Sequence, residues 1–240
     1  DQLYLMETRL GPVAKTLNYR SVDEYVLEAC RPGAPRTVTA PLVDAMTTHE
    51  TYFFRDTAFW KTLQETIIPK LGVATNASKQ LRIWCAAAST GQEPYTLSML
   101  LEENFPGLLD RTSIVATDVS EGVLAQAAKG VFSVFEVNRG ISAPRLIKHF
   151  ERAGGSFKVK DRLRRPITWT QQNLISGPPP GDGFDIGLVR NVLIYFPDTT
   201  KAEVVRKVRS SVKPDGFLAV GATELLPNVQ SLAPGWYNAR

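Results

Sequence analysis

The chain has 240 residues, 43% of them hydrophobic, with 28 Lys and Arg against 24 Asp and Glu and a net charge of +4. That length and apolar content suffice for one large or two small domains with a proper core. The absence of an 18-residue apolar run and of a secretory leader predicts a cytoplasmic protein, and two cysteines, Cys30 and Cys85, exclude a disulfide framework.

Residues 1–68 read as helical. Leu3, Met6, Leu10 and Val13 recur at helical spacing, and Ser21-Val-Asp-Glu24 is a capping-box pattern ahead of Tyr25, Val26 and Leu27. Pro32, Gly33 and Pro35 break that helix; Asp56 is expected to cap another running through Phe59, Trp60, Leu63 and Ile67. Up to Asp44 there are five basic and six acidic residues, so this part has no net basic character. Residues 72–80, GVATNASKQ, read as a polar linker. The expected organisation is therefore a helical domain over 1–71, a linker over 72–80 and a second domain over 81–240.

Leu81 to Met99 reads as strand, small-residue turn and helix. Leu81, Ile83 and Cys85 alternate with Arg82 and Trp84, then Ala86 to Gly91 are all small, and Pro94 suits a first helical turn. Small side chains admit a ligand close to the backbone, and the helix N-terminus offers unpaired N–H donors. A single glycine, Gly91, excludes the G-x-G-x-x-G dinucleotide pattern, and no G-K-[ST] follows for a P-loop. Glu93 would repel a pyrophosphate and accept hydrogen bonds from hydroxyl or amino groups. A cofactor with ribose hydroxyls, a cationic centre and no phosphate fits, and S-adenosylmethionine (SAM) is one.

Beyond this turn strands and helices alternate, which predicts a mainly parallel sheet. The strand Ser113–Thr117 ends in Asp118, placed to bind ribose hydroxyls, and Ser120 is expected to cap the helix through Leu124 and Ala128. Residues 139–166 break the rhythm. Ser142 is expected to cap a short helix to Phe150, Gly154-Gly155 to turn, and Ser156–Lys160 to pair with Arg162–Thr170 as strands. From Arg139 to Arg165 nine Lys or Arg stand against Glu151 and Asp161, a candidate docking surface for an acidic partner. Ile167 to Gln171 resumes the sheet, running on to Asn173-Leu174, and Phe184–Val189 reads as a central strand leading into Arg190–Phe196. Asn191, at a strand's carboxyl end, is expected in the ligand crevice, with Tyr195 on the exit loop. Asp198 is expected to cap a helix through Val204, Val205 and Val208, before the strand Phe217–Ala222.

Four ordered motifs now stand out: Thr47-Thr-His-Glu-Thr-Tyr-Phe-Phe-Arg55, Ala87-Ala-Ser-Thr-Gly-Gln-Glu-Pro-Tyr95, Ala116-Thr-Asp118 and Arg190-Asn-Val-Leu-Ile-Tyr-Phe196. Together, from about Leu5 to Leu226, they resemble the CheR-type chemotaxis receptor glutamate O-methyltransferases. The resemblance implies an α/β, Rossmann-like SAM-dependent methyltransferase sheet with an N-terminal helical domain and a small inserted antiparallel β-subdomain near 139–166. It implies methyl transfer from SAM, leaving S-adenosylhomocysteine, to glutamate carboxylates on the cytoplasmic domains of transmembrane chemoreceptors. It further implies that His49, Thr51, Arg55, Glu93, Asp118, Asn173, Leu174, Asn191 and Val192 bind the cofactor, with Arg55 and Tyr195 beside the transferring methyl. The Gly154-Gly155 hairpin is where a receptor C-terminal peptide would be expected. Two positions depart from the family pattern: His49 stands where Asn is usual, and Gln92 where Glu is frequent. Two alternatives are a non-catalytic SAM-binding receptor adaptor, disfavoured because Arg55 and Tyr195 are both present, and a nucleic-acid methyltransferase, disfavoured because Arg190–Phe196 lacks an N/D-P-P-Y-type tetrapeptide.

Overall fold

The computed structural model describes residues 2–226 and 231–239. The strands are β1 (Leu81–Ala86), β2 (Thr112–Asp118), β3 (Val131–Ser133), β4 (Phe150–Ala153), β5 (Ser156–Val159), β6 (Ile167–Gln171), β7 (Phe184–Val189), β8 (Val212–Val220), β9 (Ser231–Ala233) and β10 (Trp236–Asn238). Among the described residues they form a seven-stranded sheet ordered β6-β2-β1-β7-β8-β10-β9 and a three-stranded sheet ordered β3-β5-β4. The first five strands of the large sheet are parallel; β10 and β9 close it antiparallel. This is the α/β, Rossmann-like sheet with a small antiparallel insertion.

Period-two alternation decides which core each strand residue enters. Ile83, Cys85, Ile114, Ile186 and Leu188 face one side, packed by Leu97, Met99, Leu100 and Leu101 of the Gln92–Asn104 helix. Trp84, Ala86, Val189 and Val220 face the other, covered by Val204 and Val208 of the Asp198–Ser211 helix. Trp84, which the alternation alone would place outward with Arg82, is fully buried and donates its indole N–H to Thr117 Oγ1 at 3.0 Å. A central parallel strand is covered on both faces, so it has no solvent side.

The helices Gln2–Thr16, Val22–Ala29 and Arg36–Met46 share a separate small core around Leu10, Val22 and Tyr25. Phe59, Trp60, Leu63, Ile67 and Ile68 instead bury in the core of the large sheet. Arg111 ties down residues 72–80, donating to the carbonyls of Val73, Asn76 and Lys79.

Three local expectations are corrected. Asp56 takes the N-cap position of the Thr57–Thr62 helix but does not cap it through its side chain: its φ is +64°, it makes no side-chain capping bond, and its carboxylate is drawn to Arg190. Pro197, not Asp198, takes the N-cap position of the last long helix, and Asp198 pairs with Lys201 in solvent. The hairpin partner of β5 is β4, joined through Gly154-Gly155, whereas Asp161–Arg164 is a short helix and β6 lies beside β2 in the large sheet. The small sheet also recruits β3, upstream of 139. Ser21 and Ser120 do cap their helices, each accepting the backbone N–H three residues on.

The insertion is pinned to the Gln92–Asn104 helix by charge. His149, fully buried, places Nε2 2.6 Å from Glu103 and Nδ1 3.0 Å from Glu102. Arg145 adds a two-pronged contact to Glu103, and Arg162 pairs with Glu102. Burial pushes the Glu103 carboxyl up, but hydrogen bonds and charge from His149 and Arg145 outweigh it and hold the group at about 2 against its ordinary 4.5. A carboxyl with a lowered folded-state value contributes stability above its unfolded value and loses it as pH falls through the folded one. Urea unfolding between pH 4.5 and 2 is therefore expected to show falling stability, and Glu103→Gln to flatten that part of the acid limb.

Candidate functional site

Strand order reverses between β1 and β7, and in open α/β sheets ligands bind outside the carboxyl ends of the strands at such a point. The turn after β1 is tightly wound there: Ala87, Ser89 and Gly91 have φ of +60°, +52° and +96°. Left-handed backbone is unfavourable for residues with a Cβ, so the two that carry one need support. Asp118 supplies it from the end of β2: Oδ2 accepts the Ser89 N–H at 2.9 Å, while Oδ1 accepts that of Ser120 at 3.0 Å. Gly91 has a steric reason as well, since a Cβ there would lie 2.9 Å from the Trp169 ring. Ser89 Oγ donates to the His49 carbonyl at 3.0 Å and so fastens the turn to the 47–55 loop.

On the other wall Arg190 follows β7 directly, with its side chain 1% exposed. It donates to Glu93 Oε2 at 2.5 Å, to Asp56 Oδ2 at 2.8 Å and to the Arg55 carbonyl at 3.3 Å. Its guanidinium lies 3.8 Å from the Phe59 ring centroid. Burial raises the Glu93 carboxyl above its ordinary value, with the Arg190 charge and hydrogen bond pulling it back down. Asn191, at φ +59°, is held by Glu224, whose buried carboxylate accepts the N–H groups of Asn191, Ile194 and Gly221.

These elements enclose a cleft of about 310 Å³, within the range of small-molecule sites. All ten residues singled out in the sequence line it: His49, Thr51 and Arg55 from the loop, Glu93 and Asp118 from the β1 and β2 ends. Asn173 and Leu174 contribute after β6, and Asn191, Val192 and Tyr195 after β7. Within it Asn173 turns its own side-chain oxygen to the N–H groups of Ile175 and Ser176. Arg55 donates to the Glu50 carbonyl at 3.0 Å and forms no ion pair among the described residues; Tyr195 is 55% exposed at the rim.

The lining suits a cofactor with hydroxyls and a cationic centre. His49 Nε2 and Gln172 Oε1 are buried and without a hydrogen-bond partner among the described residues. Such unmade bonds cost about 1–3 kcal/mol each, which a polar ligand relieves. Each Asp118 oxygen carries one backbone N–H and keeps acceptor capacity for a hydroxyl. His49 also fits where an amide is usual, because it lines the cleft and its Nε2 is left unpaired among the described residues.

Arg190 and Glu224 are the site residues that the sequence reading passed over. A cation directly behind the four-residue apolar run Ile186–Val189 was the available signal for Arg190, since a charge at the end of a central strand must find partners. Glu224 lies in an unpatterned loop and offers no such cue.

Residues 49–234 match the family model described as CheR methyltransferase, SAM binding domain. A chemotaxis protein methyltransferase of Vibrio parahaemolyticus is 38% identical over 227 residues, covering 93% of this chain and 81% of its own. Chemotaxis protein methyltransferase 1 of Pseudomonas aeruginosa is 36% identical over 236 residues, 95% of this chain and 84% of its own. A chemotaxis protein methyltransferase of Borreliella burgdorferi is 30% identical over 249 residues, 97% and 85% respectively. The cleft, its orphaned polar atoms and these relatives agree, and the chain belongs to the CheR family of SAM-dependent methyltransferases.

Proposed function

We propose that this protein transfers the methyl group of SAM to glutamate side-chain carboxylates of chemoreceptor cytoplasmic domains, forming glutamate methyl esters. The observation that carries the reading is an arginine, Arg55, at the cleft with a carbonyl for its hydrogen-bond partner and no carboxylate paired to it among the described residues. Its planar fork suits a bidentate carboxylate. When bound, SAM supplies an electrophilic methyl on a sulfonium centre. Asp118 would take the ribose hydroxyls, His49 a buried polar group, and Glu93 the cationic or amino end.

A glutamate with an ordinary carboxyl value of about 4.3 is already ionised at neutral pH, so no strong general base is required. The protein's task is to hold one carboxylate oxygen in line with the methyl and to exclude water. Arg55 orients the incoming carboxylate and Tyr195, at the rim, lines its path and offers a hydroxyl donor. The Arg55–carboxylate contact has to stay partly solvated, because full charge neutralisation would blunt the nucleophile. Substrates of this kind place the reaction in the cytoplasm, and the β4–β5 hairpin is the candidate seat for a receptor C-terminal peptide.

The basic insertion contributes less to receptor binding than its composition suggests. Arg145, Arg162 and Arg164 are occupied by Glu103, Glu102 and Asp161, and Lys160 by the carbonyls of Ile147 and Lys148. Lys148, Arg152 and Arg165 remain without an ion pair among the described residues, Arg152 standing over the Phe157 ring.

Incubation with methyl-labelled SAM should label receptor cytoplasmic fragments in an alkali-labile form and leave nucleic acid unlabelled. Label on nucleic acid, or binding without transfer, would favour one of the two alternatives. Arg55→Ala should lower turnover at saturating cofactor far more than it lowers affinity for S-adenosylhomocysteine; the reverse pattern would assign Arg55 to the cofactor. Asp118→Ala should weaken SAM and S-adenosylhomocysteine alike, by at least the roughly 1.5–3 kcal/mol of one charge-accepted hydrogen bond. The loss also reaches the Ser89 turn that Asp118 supports, and calorimetric titration with unchanged affinity for both ligands would remove Asp118 from the site.

A further inference from the structure

Two of the residues facing the cleft beside Arg55, Glu50 and Tyr52, are gripped from behind by a residue that does not line it. Arg139 Nη2 lies 2.5 Å from Glu50 Oε1, and its guanidinium stands 4.3 Å from the Tyr52 ring centroid. The Arg55 guanidinium lies 5.5 Å from the same ring and bonds the Glu50 carbonyl at 3.0 Å. The two arginines thus share one glutamate and one tyrosine. Arg139 holds the carboxylate and Arg55 the main chain.

The insertion delivers Arg139 to this place with little freedom. Ser133 and Glu136 form a reciprocal capping box that starts the Val134–Asn138 helix, Val137 is buried, and Arg139 is the residue at its end. Gly140 then sits with φ +109° directly on the 47–55 loop; a Cβ there would lie within 3 Å of the Phe53 carbonyl carbon and oxygen. Phe53 itself is buried among Phe132 and Phe150 of the small sheet, with ring centroids 4.9 and 5.7 Å away.

We propose that Arg139 is a positioning residue for the methyl transfer: by holding the Glu50 carboxylate it keeps that carboxylate off Arg55 and away from the incoming substrate. This rests on the reading of the substrate as a carboxylate. Glu50 is half exposed at the cleft and already adjacent to Arg55 through its own carbonyl. Released from Arg139, its side chain competes for the Arg55 fork and repels a second carboxylate across the mouth. Like charges set side by side disfavour association, and a pair this exposed acts over a short, salt-screened range. Paired with Arg139, which also stands over the Tyr52 ring, Glu50 leaves Arg55 the open cation of the site.

The test uses the whole protein with a glutamate-rich receptor fragment, read by methylation kinetics and by fluorescence anisotropy of the fragment in the presence of S-adenosylhomocysteine. Arg139→Ala should raise KM and Kd for the fragment about three- to fivefold, the scale of a partly exposed charge pair, with kcat and S-adenosylhomocysteine affinity within about twofold. The Arg139→Ala/Glu50→Gln double variant should return KM and Kd to near the wild-type values, because the defect is the freed charge. High salt should shrink the Arg139→Ala effect. Unchanged fragment binding in Arg139→Ala, failure of Glu50→Gln to restore it, or a parallel collapse of kcat and cofactor affinity would each overturn the inference while the proposed function stands. A wild-type protein that neither binds nor methylates the fragment overturns the function, and this inference with it.

Discussion

A buried guanidinium between two carboxylates sets the geometry of this molecule's working end. Arg190 joins Asp56 and the Arg55 carbonyl from the loop, Glu93 from the first turn of the Gln92–Asn104 helix, and the terminus of β7. An arginine withdrawn from water is tolerated only when charge and hydrogen-bond partners replace hydration. Here two carboxylates, a carbonyl and the Phe59 ring face do so for the two terminal nitrogens, while Nε is left without a hydrogen-bond partner among the described residues. The placement of Arg190 also fixes Asn191 and Val192, which follow it into the cleft. Glu93 is left as a carboxyl raised by burial and restrained by its cationic neighbour, pointing into the same space.

Carboxylates recur as the means by which strained backbone is held. Ser89 and Asn191 are left-handed residues with side chains, and each gives its N–H to a buried carboxylate, Asp118 and Glu224 respectively. Non-glycine residues in that region persist only when the surroundings over-determine them, and they cluster at ligand sites. The cost is local and the result is a pair of backbone turns facing each other across the ends of β1 and β7. Asp118 consequently does two things at once, bracing the β1 turn and presenting spare acceptor capacity to the cleft.

The parallel sheet was legible because its strands are short, mainly apolar runs that end in polar or small residues, as at Cys85-Ala86 and Thr117-Asp118, or run straight into one, as Val189 does into Arg190. The cleft was legible because motif residues fell at those carboxyl ends. What escaped was decided by partners distant in sequence. Asp56 looks like a helix cap until Arg190, 134 residues later, takes its carboxylate. Trp84 looks half-exposed by alternation until helices cover both faces of β1. The insertion's nine cations look like an open patch until Glu102 and Glu103 on another helix occupy two of them, Arg162 and Arg145. No window of local sequence contains those pairings.

Arg190 and Glu93 act as one unit in holding the cleft together. The most direct test is a double-mutant cycle, with Arg190→Met, Glu93→Gln and the combination followed by equilibrium urea unfolding. Removing one partner of a buried pair strands the other, at a cost of about 3–5 kcal/mol, whereas replacing both with neutral groups of similar volume costs much less. Arg190→Met is expected to be severely destabilised and Glu93→Gln to recover a large part of the loss in the double variant, a coupling of about 2 kcal/mol or more. Single losses that simply add would contradict it.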